Sequence, residues 1–366
     1  MKLSSARVWL LLGVIVALMF SACSSAATPA PTVKSKTIFF GSGAVPGSPE
    51  DYLVPIFTTA RDNLKTAGYS FTYASLSNDE VVEAALDQGR IDVALLSMVG
   101  LQRAAKAGLH MKWIVTNETQ NTFVLVVKKD VSDLKQLKGK KIGSQDATSL
   151  STAAIPGILG SVGLAPADYS VVYLAGSGTR AAALQSGSMD ASMMLYTIAT
   201  GLVTKSNGAF KIWGGGAAAA PAMMWEGLVA SDAFRANKDA ANAFVKEVLD
   251  AYVKFYAGDA TKIGTDVIKA ELPELQGLEE APLIEDLKLY QTMKLFPVDG
   301  GLGQPLFDGM IKTLDDVGQL KEADTVSCAD SLDDSFVKAA KELSGSIHSR
   351  FEEAHLMPDQ RSECRG

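Results

Sequence analysis

From residue 37 onward, short apolar runs alternate with stretches whose apolar positions recur every three to four residues, the pattern of strands separated by helices. The β-branched and aromatic run Thr37–Phe40 predicts a first strand, followed by Gly41-Ser42-Gly43-Ala44-Val45-Pro46-Gly47 and an amphipathic helix over Tyr52–Leu64. Further strands are predicted at Tyr69–Ala74, Ile91–Leu96, Lys112–Thr116, Phe123–Lys128, Lys140–Gly143, Ser170–Tyr173, Met189–Leu195, Phe210–Trp213 and Met223–Ala230. Helical spacing covers Val81–Leu86, Leu101–Ala107 and Lys238–Tyr256, and Ser77 with Glu80 matches a capping box. The remainder is helical and acidic, with Glu271, Glu274, Glu279, Glu280 and Glu285 expected on a solvated face.

The stretch Asp133–Thr152 organises this pattern. A glycine-closed turn leads into a brief strand, then into small hydroxylated and amide residues, then into a helix with Leu150, Ala154, Ile158, Leu159 and Val162 on one face. A strand feeding a polar loop and a helix aims free backbone N–H groups at whatever occupies the loop. The plainer reading makes Ser149, Ser151 or Thr152 an N-cap only. The chain also repeats itself. Ala84–Asp92 and Ala182–Asp190 share alanine, alanine, leucine, glycine and aspartate in register, which argues for two similar α/β lobes. The repeated aspartates are expected to pin a turn through backbone N–H groups. The side-chain-poor Gly214–Pro221 suits a return crossing between lobes, the outward crossing falling near Asn117–Phe123.

Composition narrows the reading. A chain of 366 residues with 47% hydrophobic and 20% charged residues is long enough for two domains, and a net charge of −7 gives no basic stripe for nucleic acid. Residues 1–22 read as a signal peptide, with Lys2 and Arg7 ahead of the apolar Val8–Phe20, a run too short to span a bilayer. Phe20-Ser21-Ala22-Cys23 is similar to a bacterial lipobox, with Phe in place of the usual Leu. Cys23 is therefore the expected lipidation site and residues 23–36 a flexible, membrane-anchored linker; plain cleavage near Ala22 or Ala26 is the alternative. Cys328 and Cys364 form either a disulfide or two unpaired thiols, and residues 344–366 read as a polar tail.

Catalytic chemistry is not legible. His110, His348 and His355 lack metal-ligand spacing, there is no GxSxG elbow or P-loop, and Asp315-Asp316 and Asp333-Asp334 lie in polar helical surroundings. The pattern favours binding without turnover, and no cofactor or metal is called for.

DLKQLKGKKIG at Asp133–Gly143, the following QDATSLSTAAIPGILGSVGL, AALQSGSMDA and DSLDDSFVKAA at Asp330–Ala340 resemble ABC-transporter substrate-binding proteins of the nitrate/sulfonate/taurine type, which are related to thiamine-pyrimidine-synthase-like proteins. The resemblance implies an α/β, two-lobed type II periplasmic-binding-protein fold with a double interdomain crossover. Lobe 1 would comprise residues 37–118 and 224–343, and lobe 2 residues 119–223. It also implies a monomeric extracytoplasmic receptor that hands a small organic molecule to a membrane permease with its ATPase. Alternatives are a receptor of a tripartite ion-driven transporter, a sensory ligand-binding module, or a pyrimidine-synthase-like enzyme. Pro156-Gly157 should kink the central helix or restrict its start, and the cleft loops lack cations suited to sulfonate or nitrate.

Ligands of open α/β sheets gather beyond the C-terminal ends of the strands. The expected binding residues are Gly41, Ser42, Gly43, Ser75, Ser97, Met98, Gln145, Asp146, Thr148, Ser149, Leu150, Ser177, Tyr196 and Trp225. Trp225 either stacks on the ligand or fills the core, and Arg180 either points to solvent or meets an anion. The balance leans towards an uncharged or heteroaromatic ligand.

Overall fold

In the computed structural model the described residues are 36–44, 50–147, 149–215, 223–316, 318–344 and Cys364. The stretch expected to be a signal peptide, Cys23 and the spacer expected after it, Thr148, most of Gly214–Pro221, and the tail beyond Ser344 other than Cys364 lie outside them. Among the described residues no helix is long and apolar enough to cross a membrane.

Two five-stranded sheets share one plan. The first contains β1 (Thr37–Ser42), β2 (Ser70–Ser75), β3 (Val93–Ser97), β4 (Met111–Glu118) and β10 (Glu226–Ser231), in the order β2-β1-β3-β10-β4. The second contains β5 (Phe123–Lys128), β6 (Lys141–Ser144), β7 (Ser170–Tyr173), β8 (Ala191–Leu195) and β9 (Phe210–Gly215), in the order β7-β6-β8-β5-β9. In each sheet four strands run in one direction, and one strand adjoining a crossing, β10 or β5, runs antiparallel between its two neighbours. The chain thus leaves the first sheet after Glu118 and re-enters it at Glu226.

Both faces of each sheet are covered, so the central strands are apolar throughout. Along β3, Val93 and Leu95 join one core cluster while Ala94 and Leu96 join the other. Along β5, Leu125 and Val127 face one cluster and Val124 and Val126 the opposite one. Full burial of each such side chain contributes about 1.5–3 kcal/mol. The long helix Lys238–Ala257 inserts Phe244, Val248 and Tyr252 into the first lobe's larger cluster.

The internal repeat has the same task in both lobes. Gly89 and Gly187 take left-handed φ of +63° and +76°, open to glycine without strain, and end their helices. The aspartate three residues on then clamps the first parallel strand. Asp92 Oδ2 accepts from Phe39 N at 2.8 Å, and Asp190 Oδ2 accepts from Lys141 N at 3.0 Å. The expected pinning is therefore of a neighbouring strand rather than of the turn.

Three details differ from the sequence reading. Ser77 sits at φ +76° and cannot cap; Asn78 is the N-cap, accepting from Val81 N at 3.0 Å. Pro156 lies inside the helix Leu150–Gly160, which continues past it. Within the acidic C-terminal stretch, Glu271, Glu279, Glu280 and Glu285 are exposed as expected, but Glu274 is half-buried, paired with Arg61 at 3.1 Å, and Asp286 is fully buried. Cys328 and Cys364 are joined in a disulfide.

The lobes touch. Thr197 at the start of the helix Tyr196–Lys205 donates to Asp51 Oδ2 at 2.7 Å, and Tyr290 donates to the same oxygen at 2.7 Å. Gln319 Nε2 donates to the Ala147 and Ser149 carbonyls at 3.3 and 3.2 Å, and Lys205 pairs with Glu279. Behind Asp51 lies Asp286, neither of whose oxygens has a conventional donor. Burial first, then the Asp51 charge and a hydrogen bond with its carboxyl, push Asp286 up to about 10. One proton is therefore held at this acid pair at neutral pH.

Candidate functional site

The loops at the C-terminal ends of the parallel strands enclose two adjoining cavities of about 110 and 490 Å³. Both are lined by Gly43, Asp79, Ser97, Phe123, Gln145 and Glu226, so they are compartments of one cleft. The smaller adds Glu50, Tyr52, Gly176, Ser177 and Leu195; the larger adds Glu80, Arg103, Asp146, Ser149 and Leu150.

Five carboxylates thus face the cleft against one cation, Arg103. That cation is already engaged, by Glu83 at 2.5 Å and Glu80 at 4.0 Å. Glu50 is 6% exposed, and three hydroxyls hold it: Ser42 donates to Oε2 at 2.6 Å, Tyr73 to Oε2 at 3.0 Å and Tyr52 to Oε1 at 2.8 Å. Burial still raises its pKa against these donors. Asp79 accepts from Ser97 Oγ at 2.7 Å and is likewise raised, chiefly by burial. Glu226, at the first position of β10, has no hydrogen-bond or ion-pair partner among the described residues. Burial and then the charges of Glu50 and Asp79 push it well above the usual carboxylate range. Glu118, its cross-strand neighbour on β4, is raised by burial and then by Glu226, and its Oε1 is buried without a partner.

Of the residues singled out from the sequence, Gly43, Ser97, Gln145, Asp146, Ser149, Leu150 and Ser177 line the cleft. The others serve elsewhere. Gly41 is required by packing, since a Cβ there would lie 2.7 Å from Ile91 Cδ1. Gly43 has a similar reason, a Cβ falling 2.8 Å from Asp79 Oδ1, so these glycines admit neighbouring protein rather than ligand. Ser42 is buried beneath Glu50, and Ser75 donates to the Ala44 carbonyl at 2.5 Å. Met98 and Trp225 are 0% and 2% exposed within the first lobe's core, so Trp225 fills the core rather than stacking on a ligand. Tyr196 packs beside the second lobe's core and does not line the cleft. Arg180 does not reach solvent, and the carboxylate whose charge it feels is Asp146 of its own lobe. Arg180 is 0% exposed, and its guanidinium donates to the Met193 and Leu174 carbonyls and to Ser177 Oγ, each at 2.8 Å. Burial lowers it to about 10.

The hydroxyl-rich loop is largely self-satisfied. Ser144, Ser149, Ser151 and Thr152 form a ring of hydroxyls with separations of 2.8, 2.8, 3.3 and 2.7 Å. Such a ring fixes the entry to the helix Leu150–Gly160 and leaves few donors for a solute. The Gln145 side-chain amide, by contrast, has no partner among the described residues.

Sequence reasoning missed Glu50, Asp79, Glu226 and Phe123. Asp79 was masked by a plausible helix start. Glu226 carried a usable signal, since it and Glu118 are the carboxylates that flank the two crossings. Among the described residues no group of His, Cys, Asp or Glu is arranged to hold a metal ion.

Residues 59–258 match the family described as NMT1/THI5 like. No curated protein matches the sequence. Solved structures are similar in fold. The ligand binding component of an ABC-type import system from Staphylococcus aureus, with zinc bound, superposes with TM-score 0.68 at 14% identity, over 83% of this chain and 99% of that one. A putative periplasmic sulfonate-binding protein, SsuA, from Methylobacillus flagellatus KT gives 0.63 at 20% identity, over 85% and 96%. The periplasmic nitrate-binding protein NrtA from Synechocystis PCC 6803 gives 0.55 at 12%, over 70% of each chain.

Proposed function

The chain belongs to the NMT1/THI5-like family, and from that premise we propose that it is an extracytoplasmic solute-binding protein of an ABC importer. It captures a small organic molecule between its lobes, binds it without turnover, and presents the closed form to a permease with its ATPase. The observation that carries this reading is the cleft itself: two sheets of one plan meet with their strand-end loops opposed around connected cavities. The similar structures whose descriptions name ABC import or sulfonate and nitrate binding support the same role. We assign residues 37–118 with 224–343 to lobe 1 and 119–223 to lobe 2, the protein acting as a monomer.

Closure is the testable part of this function. Only the two connections, near residues 119–122 and 216–225, join the lobes covalently, so a rigid-body hinge is available. Small-angle scattering of the purified protein, alone and with a solute found by thermal-shift screening, should show compaction on binding. An unchanged profile at demonstrated saturation would sink the receptor reading.

Membrane attachment is a separate part of the proposal. The basic, apolar and small-residue order of Met1–Cys23 supports export and lipidation at Cys23. A Cys23→Ser variant should leave the membrane fraction or accumulate unprocessed. Wild-type fractionation and migration of that variant would refute the anchor.

A further inference from the structure

The charge of the cleft says what kind of solute it accepts, given the receptor reading on which this inference rests. We propose that the solute carries a positively charged nitrogen, seated between Asp79 and Glu226 with the Phe123 ring along its apolar side.

Three independent features converge. First, Asp79 and Glu226 both line the two compartments, and Glu50 closes the inner one; no lysine lines either. Arg103 is held by Glu83 and Glu80, and the Arg180 guanidinium is enclosed within lobe 2. An anionic solute would find no free cation among the lining residues and would sit against acids that cannot pair with it. Second, the Glu226 carboxylate borders the cavities without a protein partner, although every other feature of its strand is satisfied by the β3 and β4 ladders. A half-buried acid left in this state is completed by a proton or by a cation, and at Glu226 the cleft gives a solute cation access to it. Third, Phe123 begins β5 at the crossing and borders both compartments together with the acids, which places an aromatic side chain beside whatever they hold. Carboxylates on one side and an aromatic face on another suit an ammonium or guanidinium group.

The raised pKa values of Asp79 and Glu226 agree with this arrangement, because burial and mutual repulsion are what a bound cation relieves. The space also favours an organic group over a bare ion. The compartments are bordered by Leu95, Leu195 and Leu150 as well as by acids, and the acids do not converge at metal-ligand geometry among the described residues. On the opposite wall Gln145 offers a free amide for a hydroxyl, ether or carbonyl at the solute's other end.

Matched probes test this directly. The exported protein is titrated with butylammonium, methylguanidinium and tetramethylammonium chlorides, and with butanol, sodium butanesulfonate and sodium nitrate, at equal millimolar concentration and constant ionic strength. Thermal shift and calorimetry should register at least one cation and neither anion. Asp79→Asn and Glu226→Gln, which keep side-chain shape, should each weaken that cation by about thirty-fold or more while remaining folded by circular dichroism. Binding of butanesulfonate or nitrate by the wild type, silence towards all three cations, or undiminished cation binding in both folded variants would each overturn the inference. Closure around an anionic or neutral solute in scattering would remove the cation and leave the receptor reading standing. Failure of every bound solute to compact the protein would remove the receptor reading itself.

Discussion

Gly227→Ala should unfold lobe 1. A Cβ at Gly227 would lie 1.8 Å from Trp113 Cε2 and 2.1 Å from Cζ2, far inside contact distance. Across the β10–β4 pairing Gly227 is opposite Thr116 and Trp113 is opposite Val229, so the indole reaches diagonally over the bare glycine, where strands allow little adjustment. Trp113 cannot yield, because it is 0% exposed and its Nε1 donates at 3.1 Å to Thr116 Oγ1, which in turn donates to the Gly301 carbonyl at 2.7 Å. Displacing the ring would break that chain and open the core, so a loss of about 3 kcal/mol or more is expected. Gly157→Ala is the matched control. It sits in the helix Leu150–Gly160 with nothing within 4 Å of a built Cβ, and should be neutral or stabilise by about 0.5–1 kcal/mol. Urea denaturation of both variants separates the cases. A Gly227→Ala midpoint equal to that of wild type would show that the sheet can repack around the ring.

The second large effect concerns pH. Asp286 is raised from 3.8 to about 10, so the folded protein keeps a proton that the unfolded chain releases above its ordinary pKa. The sign follows from linkage. The contribution to stability is complete below about pH 4, where both states are protonated, and is lost progressively as pH rises towards 10. Asn in place of Asp286 reproduces the protonated shape, donates permanently to Asp51, and does not titrate. Asp286→Asn should therefore stabilise the protein at pH 8 by about 2–4 kcal/mol, less than full linkage would give because the site relaxes. The gain should vanish near pH 4. Because Asp51 also accepts from Thr197 of lobe 2, the same variant should keep the lobes in contact at high pH. Melting curves of variant and wild type from pH 4 to 9 that stay parallel would rule out the shared proton.

The sequence made the frame legible for a physical reason. Strands buried on both faces and helices with one apolar face write their period into the chain, and the repeat ending at Asp92 and Asp190 marks the same strand clamp twice. The strands Phe123–Lys128 and Ser170–Tyr173 occur where the pattern puts them. The site was harder, because polar residues look alike whether they face solute, solvent or one another. Ser149 reads as a ligand donor, and its hydroxyl instead closes a ring with those of Ser144, Ser151 and Thr152. Trp225 and Met98 read as contact surface and are core. Asp286 was submerged in an acidic run of which Glu271, Glu279, Glu280 and Glu285 are exposed and Glu274 is half-buried against Arg61, and no one-dimensional signal picks out the fully buried acid among them. Glu50, Asp79 and Glu226 come from separate stretches of the chain, and they come together only when β10 returns to the first sheet.

The order of strands also governs how the molecule can be made. All five strands of the second sheet lie in one continuous segment, Phe123–Gly215, and can pair as soon as that segment is available. The first sheet cannot. β3 and β4 do not pair with each other, and the strand that belongs between them, β10, arrives more than a hundred residues after β4. A chain emerging from its N-terminus therefore holds an unfilled slot in its first sheet while the second one forms. That slot exposes the apolar edges of Leu95 and Val115 to any extended segment that reaches them first. The lobe begun first is the last to be finished, and its unfinished edge is where a holding chaperone would be most useful during synthesis.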